Sequence, residues 1–530
     1  MICSYGLFLW FVLMSRSCSG ILPPVSHILR YATNLCVLRS LDGMICTMKL
    51  SNPYASLNAV VFEQSGPTPV ASPMLVLFNA AVAKQLEIPC SLTGDSQRLA
   101  NIFSGNQLLP GSEPVALAYS GHQFGHFSPQ LGDGRAHLLG AVTNSANQVR
   151  EVQLKGSGRT AFSRGGDGRC ALGPAVREYV MSEAIHALGI PTTRSLCVVT
   201  TGEQVMRETP RPGAVITRVA SSHIRVGTFQ FYACRGKTDG LRAIANYTIA
   251  RHYPGMESRP DPYLALLDAV IEKQIELVVH WMRVGFIHGV MNTDNTALSG
   301  ETIDFGPCAM MGAYDPKTVF SSIDEAGRYA FGNQPGIIHW NMARFAETLL
   351  PLIDQDTEKA ISQVEPPIHG FPERFEACYK QMMADKLGLD ALRPEDTTLI
   401  TGLLEQLQNK GMDYTNSFMA LTESQRCADK AKSMADALGD WFADWQHRLS
   451  QQNLSSEDVY ARMKRNNPVV IPRNHHMEKV IDACVQSGDY QAAEDFLEVL
   501  GSPYLETEKT AGYQDLPEDG DRYYKTFCGT

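Results

Sequence analysis

The sequence predicts an α+β fold in which a strand-rich half precedes a helical half. Three observations carry this. Residues 115–235 are rich in glycine and in short apolar runs, the pattern of strands joined by loops. Residues 262–283 place Leu264, Leu267, Ile271, Ile275, Val278 and Met282 at spacings of three and four, the stripe of an amphipathic helix. Beyond about residue 340 the pattern stays mostly helical to residue 500.

Taken in order, residues 52–100 read as an ordered lead-in with a helix around Met74–Leu86. Val149–Lys155 (VREVQLK) alternates as a strand, with Val152 and Leu154 on one side and Gln153 and Lys155 on the other. A helix follows from Pro174 to Leu188, opened by proline and closed by Gly189-Ile190-Pro191. Strands return at 195–200, 203–207 and 214–219. After the 262–283 helix, Gly285–Gly306 reads as strand, loop, strand, turn, strand, with Ser299-Gly300 as a hairpin turn. The last 25 residues are polar and read as an extended tail.

The 530 residues exceed one small domain, so two packed lobes with an appendage are expected. The domains are placed at 44–240 (lead-in and strand-rich lobe), 241–345 (helical lobe), 346–505 (helical extension) and 506–530 (tail), the lobe boundary falling near 235–262. Apolar residues make up 44% and charged residues 19%, which excludes collagen-like, coiled-coil and wholly disordered chains. A net charge of -10 argues against bulk nucleic-acid binding but leaves room for a local basic pocket. Thirteen cysteines lie scattered, with no C-x-x-C pair and no Cys/His cluster. This argues against a zinc site and a dense disulfide framework, and suits a reducing compartment. Cys528, two residues from the end, is expected to be exposed.

Residues 1–43 contain one acidic residue, Asp42, and an apolar run, Tyr5–Met14, too short to span a bilayer. The preferred reading is an over-extended start, with translation from Met44 or Met48. The alternative is a mitochondrial presequence, suggested by Arg16, Arg30, Arg39 and many serines. No later segment reads as transmembrane.

The strongest chemical signal is Phe286–Gly306, FIHGVMNTDNTALSGETIDFG. Asp304-Phe305-Gly306 follows a histidine-led loop ending in Asp294-Asn295. Kinases use this arrangement to hold metal ions on nucleotide phosphates, and Asp and Asn oxygens are hard ligands suited to Mg²⁺. Aligning His288 with the kinase catalytic-loop histidine puts Asn295 on the metal-binding asparagine and Val290 on the catalytic aspartate. Valine cannot accept a proton, so the usual base is missing and Asp294 is the carboxylate that could replace it. Lys155 ends a strand as the phosphate-binding lysine of kinases does. Glu178 on the next helix is its candidate partner, with Glu183 the rival. Two glycine loops, Gly132-Asp133-Gly134-Arg135 and Gly165-Gly166-Asp167-Gly168-Arg169, flank Lys155 and could approach phosphates, although neither is a Walker A or a dinucleotide fingerprint. Arg218 and Arg225 could neutralise a triphosphate or simply form ion pairs. His288 reads as a loop-orienting residue.

These segments resemble the selenoprotein O family of pseudokinase-like protein adenylyltransferases. The matching stretches are YSGHQFGHFSPQLGDGRA (119–136), VQLKGSGRTAFSRGGDGR (152–169), the Arg218–Arg225 segment, HGVMNTDN with IDFGP (288–307), GRYAFGNQP (327–335) and NPVVIPRNH (467–475). The resemblance runs from about residue 52 to the C-terminus. It implies a two-lobed protein-kinase-like fold with a helical C-terminal extension, binding ATP reversed so that AMP passes to Ser, Thr or Tyr hydroxyls of proteins and pyrophosphate leaves. It implies that Lys155, Arg218 and Arg225 hold phosphates, with Glu178 orienting Lys155. Gly132, Gly134, Arg135, Asp167 and Gly168 would line the nucleotide, Asn295 and Asp304 would bind Mg²⁺ or Mn²⁺, with Asp304 also beside ATP, and Asp294 would be the proton acceptor. Many eukaryotic members carry selenocysteine near the C-terminus, where this chain has Cys528. Ordinary phosphoryl transfer by a protein or small-molecule kinase, a non-catalytic ATP-binding redox scaffold, and UMP transfer from UTP are the alternatives. A monomer in the cytoplasm, without nucleic-acid partners or stable membrane insertion, is the accompanying expectation.

Overall fold

The computed structural model describes residues 48–527, except residues 56, 58–60, 519 and 522. The expectations for residues 1–43 and for Cys528 therefore lie outside the described residues.

The strand-rich half forms one antiparallel sheet. Its path runs β1 (Phe62–Gln64), β3 (Val115–Leu117), β6 (Ala136–Thr143), β7 (Val149–Lys155), β10 (Pro210–Ala220), β9 (Arg194–Met206) and β2 (Met74–Phe78), with β8 (Cys170–Ala171) pairing β10. A separate hairpin joins β4 (Gly121–Gln123) and β5 (His126–Ser128). In the register of β7, Lys155 faces Ala136 on one side and Ile216 on the other.

Alternation along β7 decides what each face does. Val152 and Leu154 join Leu99 and Phe103 of a helix at Ser96–Phe103 in a buried cluster with Val199, Val215 and Val219. That helix is α3, after α1 (Ala80–Gln85) and α2 (Cys90–Thr93). Gln153 and Lys155 point the other way, on the side where α4 (Leu172–Ala187) lies. Val176, Tyr179 and Val180 of α4 pack with Leu138, Val198 and Ile216 of the sheet.

The helical half begins with α5 (Val226–Ala233), α6 (Thr238–His252) and α7 (Pro262–Val284). Gly285 caps α7 in the left-handed conformation, at φ 76°, and lets the chain turn into β11 (Phe286–Ile287). β11 pairs β12 (Ala309–Met310), so the loop from His288 to Cys308 is held at both ends. Helices α8 (Gln334–Ile353), α9 (Thr357–His369), α10 (Phe371–Lys386), α11 (Asp396–Lys410), α12 (Tyr414–Glu423), α13 (Ala428–Leu438), α14 (Asp440–Ser450), α15 (Ser456–Asn466), α16 (Asn474–Asp482), α17 (Gln491–Leu500) and α18 (Glu508–Ala511) complete the chain. Asn474, the first residue of α16, exchanges two hydrogen bonds with the backbone of Met310, at 3.1 and 2.9 Å. It thereby pins β12 from outside the sheet. None of the described helices is long and apolar enough to cross a membrane.

Four expectations need correction. The helix expected at Met74–Leu86 is two elements: MLVLF is strand β2 on β9, and Asn79 then caps α1 by accepting from the amides of Ala81 and Val82. An apolar run beside a capped helix start carries no periodicity that separates strand from helix. The strands expected at 195–200 and 203–207 are one continuous β9. The strands expected within Gly285–Gly306 reduce to β11. The turn at Ser299-Gly300 exists, with Gly300 N–H donating to Ala297 O, but its flanks pair elsewhere, Ala297 with Arg225 and Thr302 with Thr192. The tail is not simply extended. It contains α18, and Thr526 donates to Phe320 O, accepts from Ser322 N–H and bonds Pro307 O at 2.6 Å. Tyr524 bonds Glu478 at 2.7 Å and accepts from Arg177 of α4 at 3.1 Å.

Leu154 fills the cluster against α3 and is fully buried. Leu154→Ala should cost about 2–5 kcal/mol of stability. The check is the chemical-denaturation midpoint at unchanged slope, and a loss under about 1 kcal/mol would contradict tight packing on this face.

Candidate active site

Four segments converge on one charged network. β7 brings Lys155, α4 brings Glu178, β10 brings Arg218, and the loop before β12 brings Asp304. Lys155 Nζ lies 2.7 Å from Glu178 Oε2 and 3.1 Å from Asp304 Oδ1. Arg218 grips the same two carboxylates, Nε to Glu178 Oε1 and Nη2 to Asp304 Oδ1. Glu183, the rival partner, instead pairs with Arg194, whose Nε lies 2.8 Å from its Oε1. The two glutamates are five residues apart, about 140° round the helix, and only Glu178 is on the face that meets β7.

Burial alone would raise the Asp304 carboxyl, but Arg218, Lys155 and Arg225 outweigh it and hold the group well below its ordinary value. Burial likewise opposes ionisation of Glu178, and Arg218 and Lys155 reverse the balance. Both groups are therefore carboxylates at neutral pH. Asp304 has a positive φ of 64°, a conformation costly for a non-glycine residue and sustained here by ion pairing.

Arg225 extends the network to Asp294. Its Nη1 donates to the Asp294 backbone carbonyl at 3.0 Å and lies 3.7 Å from Asp304 Oδ2, while Nη2 lies 3.7 Å from Asp133 Oδ1. The guanidinium also sits over the Tyr119 ring, 4.6 Å from its centroid. Asp133 accepts from Gln153 at 2.9 Å and from the Leu117 amide at 3.3 Å. Gln153 in turn accepts from Arg218 at 3.4 Å.

Asp294 sits in a short 3₁₀ turn, Thr293–Asn295, beneath the β4–β5 hairpin. The His122 amide donates to Thr293 Oγ1 at 2.7 Å, and Gln123 Nε2 approaches Asp294 Oδ2 at 3.4 Å. Oδ1 of Asp294 is buried without a hydrogen-bond partner. A Cβ at Gly121 would stand 2.6 Å from that oxygen, so the hairpin approaches this closely only because residue 121 is glycine. Burial pushes the Asp294 carboxyl up to about 6, with Arg225 partly opposing the rise. A carboxylate with an unpartnered oxygen and a pKa near neutrality is chemically suited to accept a proton.

His288 orients this loop. Its Nε2 faces Ile303 O at 2.8 Å and its Nδ1 faces the Val290 amide at 3.4 Å, which fits an Nε2–H tautomer. Asn295 donates from Nδ2 to Val290 O at 3.0 Å, so its amide oxygen remains as the acceptor end. Asp304 and Asn295 thus offer an ionised carboxylate and an amide oxygen, hard donors of the kind Mg²⁺ and Mn²⁺ accept.

The first glycine loop packs on Thr160–Ser163, the segment just before the second. A Cβ at Gly132 would meet the Phe162 ring at 2.4 Å, and one at Gly134 the Phe162 carbonyl at 2.7 Å. Thr160 Oγ1 donates to Asp133 O at 2.8 Å across this contact. Arg135 lies in the turn just before β6, its carbonyl accepting from Gly156 N–H beside Lys155. Asp167 accepts from the Arg169 amide at 2.9 Å and from Arg207 at 2.8 Å, and Gly168 packs against the backbone of Gly158. The structure thus joins Lys155, Glu178, Arg218, Arg225, Asp304 and Asp294, while Asp167 pairs with Arg207 outside the network.

Sequence reasoning passed over Gln153, Asp133 as a charge partner, Tyr119 and Gln123. Gln153 had a signal, since it shares the Lys155 face of β7. Asp133 and Tyr119 had none, because their partner Arg225 comes from the N-terminal cap of α5, about 90–105 residues further on. A cavity of 640 Å³ beside α7, lined by Tyr253, Asp268 and Cys378 among others, shares no residue with this network.

Known proteins were compared with the chain as a whole. The family model described as Protein adenylyltransferase SelO matches residues 45–501. The protein nucleotidyltransferase YdiU of Teredinibacter turnerae is 51% identical over 485 residues, covering 91% of this chain and all of the relative. Its namesake in Geobacillus kaustophilus is 52% identical over 482 residues, covering 91% of this chain and 99% of the relative. That of Pseudoalteromonas translucida is 53% identical over 465 residues, covering 88% and 96%. With these matches spanning nearly the whole described chain, and with the segments they cover converging on one charged network, the chain belongs to the SelO family of protein adenylyltransferases.

Proposed function

We propose that this chain is a protein adenylyltransferase that moves AMP from ATP to Ser, Thr or Tyr hydroxyls of other proteins. The observation that carries the reading is Asp294, buried, raised to about 6 and without a hydrogen-bond partner at Oδ1, beside a network of three cations. The site is read as a two-lobed kinase-like cleft, with residues 44–240 as the nucleotide-binding lobe, 241–345 as the lobe bearing the loop, 346–505 as the helical extension and 506–530 as the tail.

In this reading Lys155, Arg218 and Arg225 hold the phosphates, and Glu178 fixes the direction of Lys155 and Arg218. Gly132, Gly134, Arg135, Asp167 and Gly168 line the nucleotide. Asn295 and Asp304 would hold Mg²⁺ or Mn²⁺, which supplies charge neutralisation on the phosphates. Asp294 takes the proton of the attacking hydroxyl. The hydroxyl oxygen forms a bond to the α-phosphorus, the bond from that phosphorus to its bridging oxygen breaks, and pyrophosphate leaves with the electron pair. Val290 cannot do the proton step, whereas Asp294 is ionised above pH 6. The relatives' names state nucleotidyl transfer without a base, so UTP belongs in the same assay as a second donor.

Purified chain with Mg²⁺ or Mn²⁺ and ATP labelled at the α- or the γ-phosphate tests the reading. Label should enter protein from α-labelled ATP only and vanish in Asp304→Ala. Label from the γ position alone would establish a kinase instead, and ATP binding without transfer would leave a non-catalytic scaffold. Asp294→Asn should lower transfer by about 10²–10⁴-fold while ATP affinity stays within a few-fold, read by calorimetry. The pH profile has a definite sign. Below about pH 6 Asp294 keeps its proton and cannot accept another, so kcat/KM should rise with pH through that region. A flat profile there would remove Asp294 as the base.

A further inference from the structure

We propose a second metal site, separate from the charged network, at His475, His476 and Asp515. It would take a borderline divalent ion such as Zn²⁺ through two imidazole nitrogens and one carboxylate oxygen. Its role would be to fasten the C-terminal segment to α16.

The three ligand atoms lie within 4.8 Å of one another. His475 Nε2 is 3.3 Å from Asp515 Oδ2, and His476 Nε2 is 2.6 Å from Asp515 Oδ1. Zinc–nitrogen and zinc–oxygen bonds of about 2.0–2.2 Å place tetrahedral ligand atoms about 3.3 Å apart. Both imidazoles already lie beside the carboxylate that would share the ion with them. The two imidazoles are consecutive in the first turn of α16, yet their ring centroids are only 4.0 Å apart, so both edges reach one carboxylate. His476 is fixed by the Tyr513 ring at 4.9 Å and the Phe496 ring at 6.2 Å. His475 Nδ1 is buried without a hydrogen-bond partner, which leaves Nε2 as the working nitrogen. His475 also lines a cleft of 350 Å³ with Glu478, Tyr523 and Tyr524. Two nitrogens disfavour Mg²⁺ and Ca²⁺ and favour Zn²⁺, Co²⁺ or Ni²⁺. The sequence hides the group, because Asp515 follows His476 by 39 residues and no cysteine takes part.

The test uses the full chain, stripped by chelation and held in excess Mg²⁺ so that Asn295 and Asp304 are occupied. Co²⁺ is titrated as the probe, read by its visible d–d absorbance, and then displaced by Zn²⁺. The expected result is one tetrahedral Co²⁺ per chain without a thiolate charge-transfer band. Binding should weaken at least about 10-fold in Asp515→Asn and in His475→Ala. Zn²⁺ should raise the thermal midpoint of the parent chain and not of Asp515→Asn. Equal binding by parent and variants, a thiolate band, or no stoichiometric binding would each overturn the site. Asp515 is more than half exposed and Asp515→Asn keeps its size, so the variant is expected to fold, which its circular dichroism checks.

Discussion

Everything at the site depends on charge compensation below the surface. Glu178 and Arg218 are almost fully buried, and Lys155 nearly so. An uncompensated charge there would cost several kcal/mol. The solution is reciprocal: Lys155 and Arg218 each touch both Glu178 and Asp304, and Arg225 adds a third cation from the other side. Each partner comes from a different element, so β7, α4, β10 and the loop after β11 must all be in register before the charges balance. Asp304, about a quarter exposed, is the most exposed of these members, and its strained backbone turns a carboxylate inward from a loop.

The same logic separates the two acids of the loop. Asp304 is surrounded by cations and stays ionised, whereas Asp294 is covered by a hairpin and sits near neutrality. Ten residues apart, they have opposite electrostatic surroundings. One suits the grip on a metal and phosphates, the other suits proton transfer. Arg225 links them by touching Asp304 with its side chain and the Asp294 backbone with the same nitrogen.

Much of this could be read from residue order alone. The period of two in β7 placed Lys155 opposite Val152 and Leu154, and the spacing of three and four gave α7 within a residue. Asp294, Asn295 and Asp304 stood out because a known phosphate-handling order surrounds them. The choice between Glu178 and Glu183 was not legible, since it turns on which face of α4 meets the sheet. Nor was the strand at Met74–Phe78, where an uninterrupted apolar run lacks a period. The β4–β5 hairpin over Asp294 was also hidden, because its effect rests on one absent Cβ at Gly121. Local patterns are visible in a sequence, whereas tertiary partners 86 residues apart, such as Arg218 and Asp304, are not.

The contacts of Tyr524 and Thr526 have a consequence for how the chain is made. Tyr524 bonds Arg177, the neighbour of Glu178, across 347 residues, and Thr526 bonds Pro307, just past Asp304, across 219. A ribosome delivers both acidic residues long before either tail residue exists. During synthesis the network can assemble with its outer brace still missing, and the brace closes only after residue 526 has emerged. A nascent chain can therefore pair these charges before the tail's contacts to Arg177 and Pro307 exist.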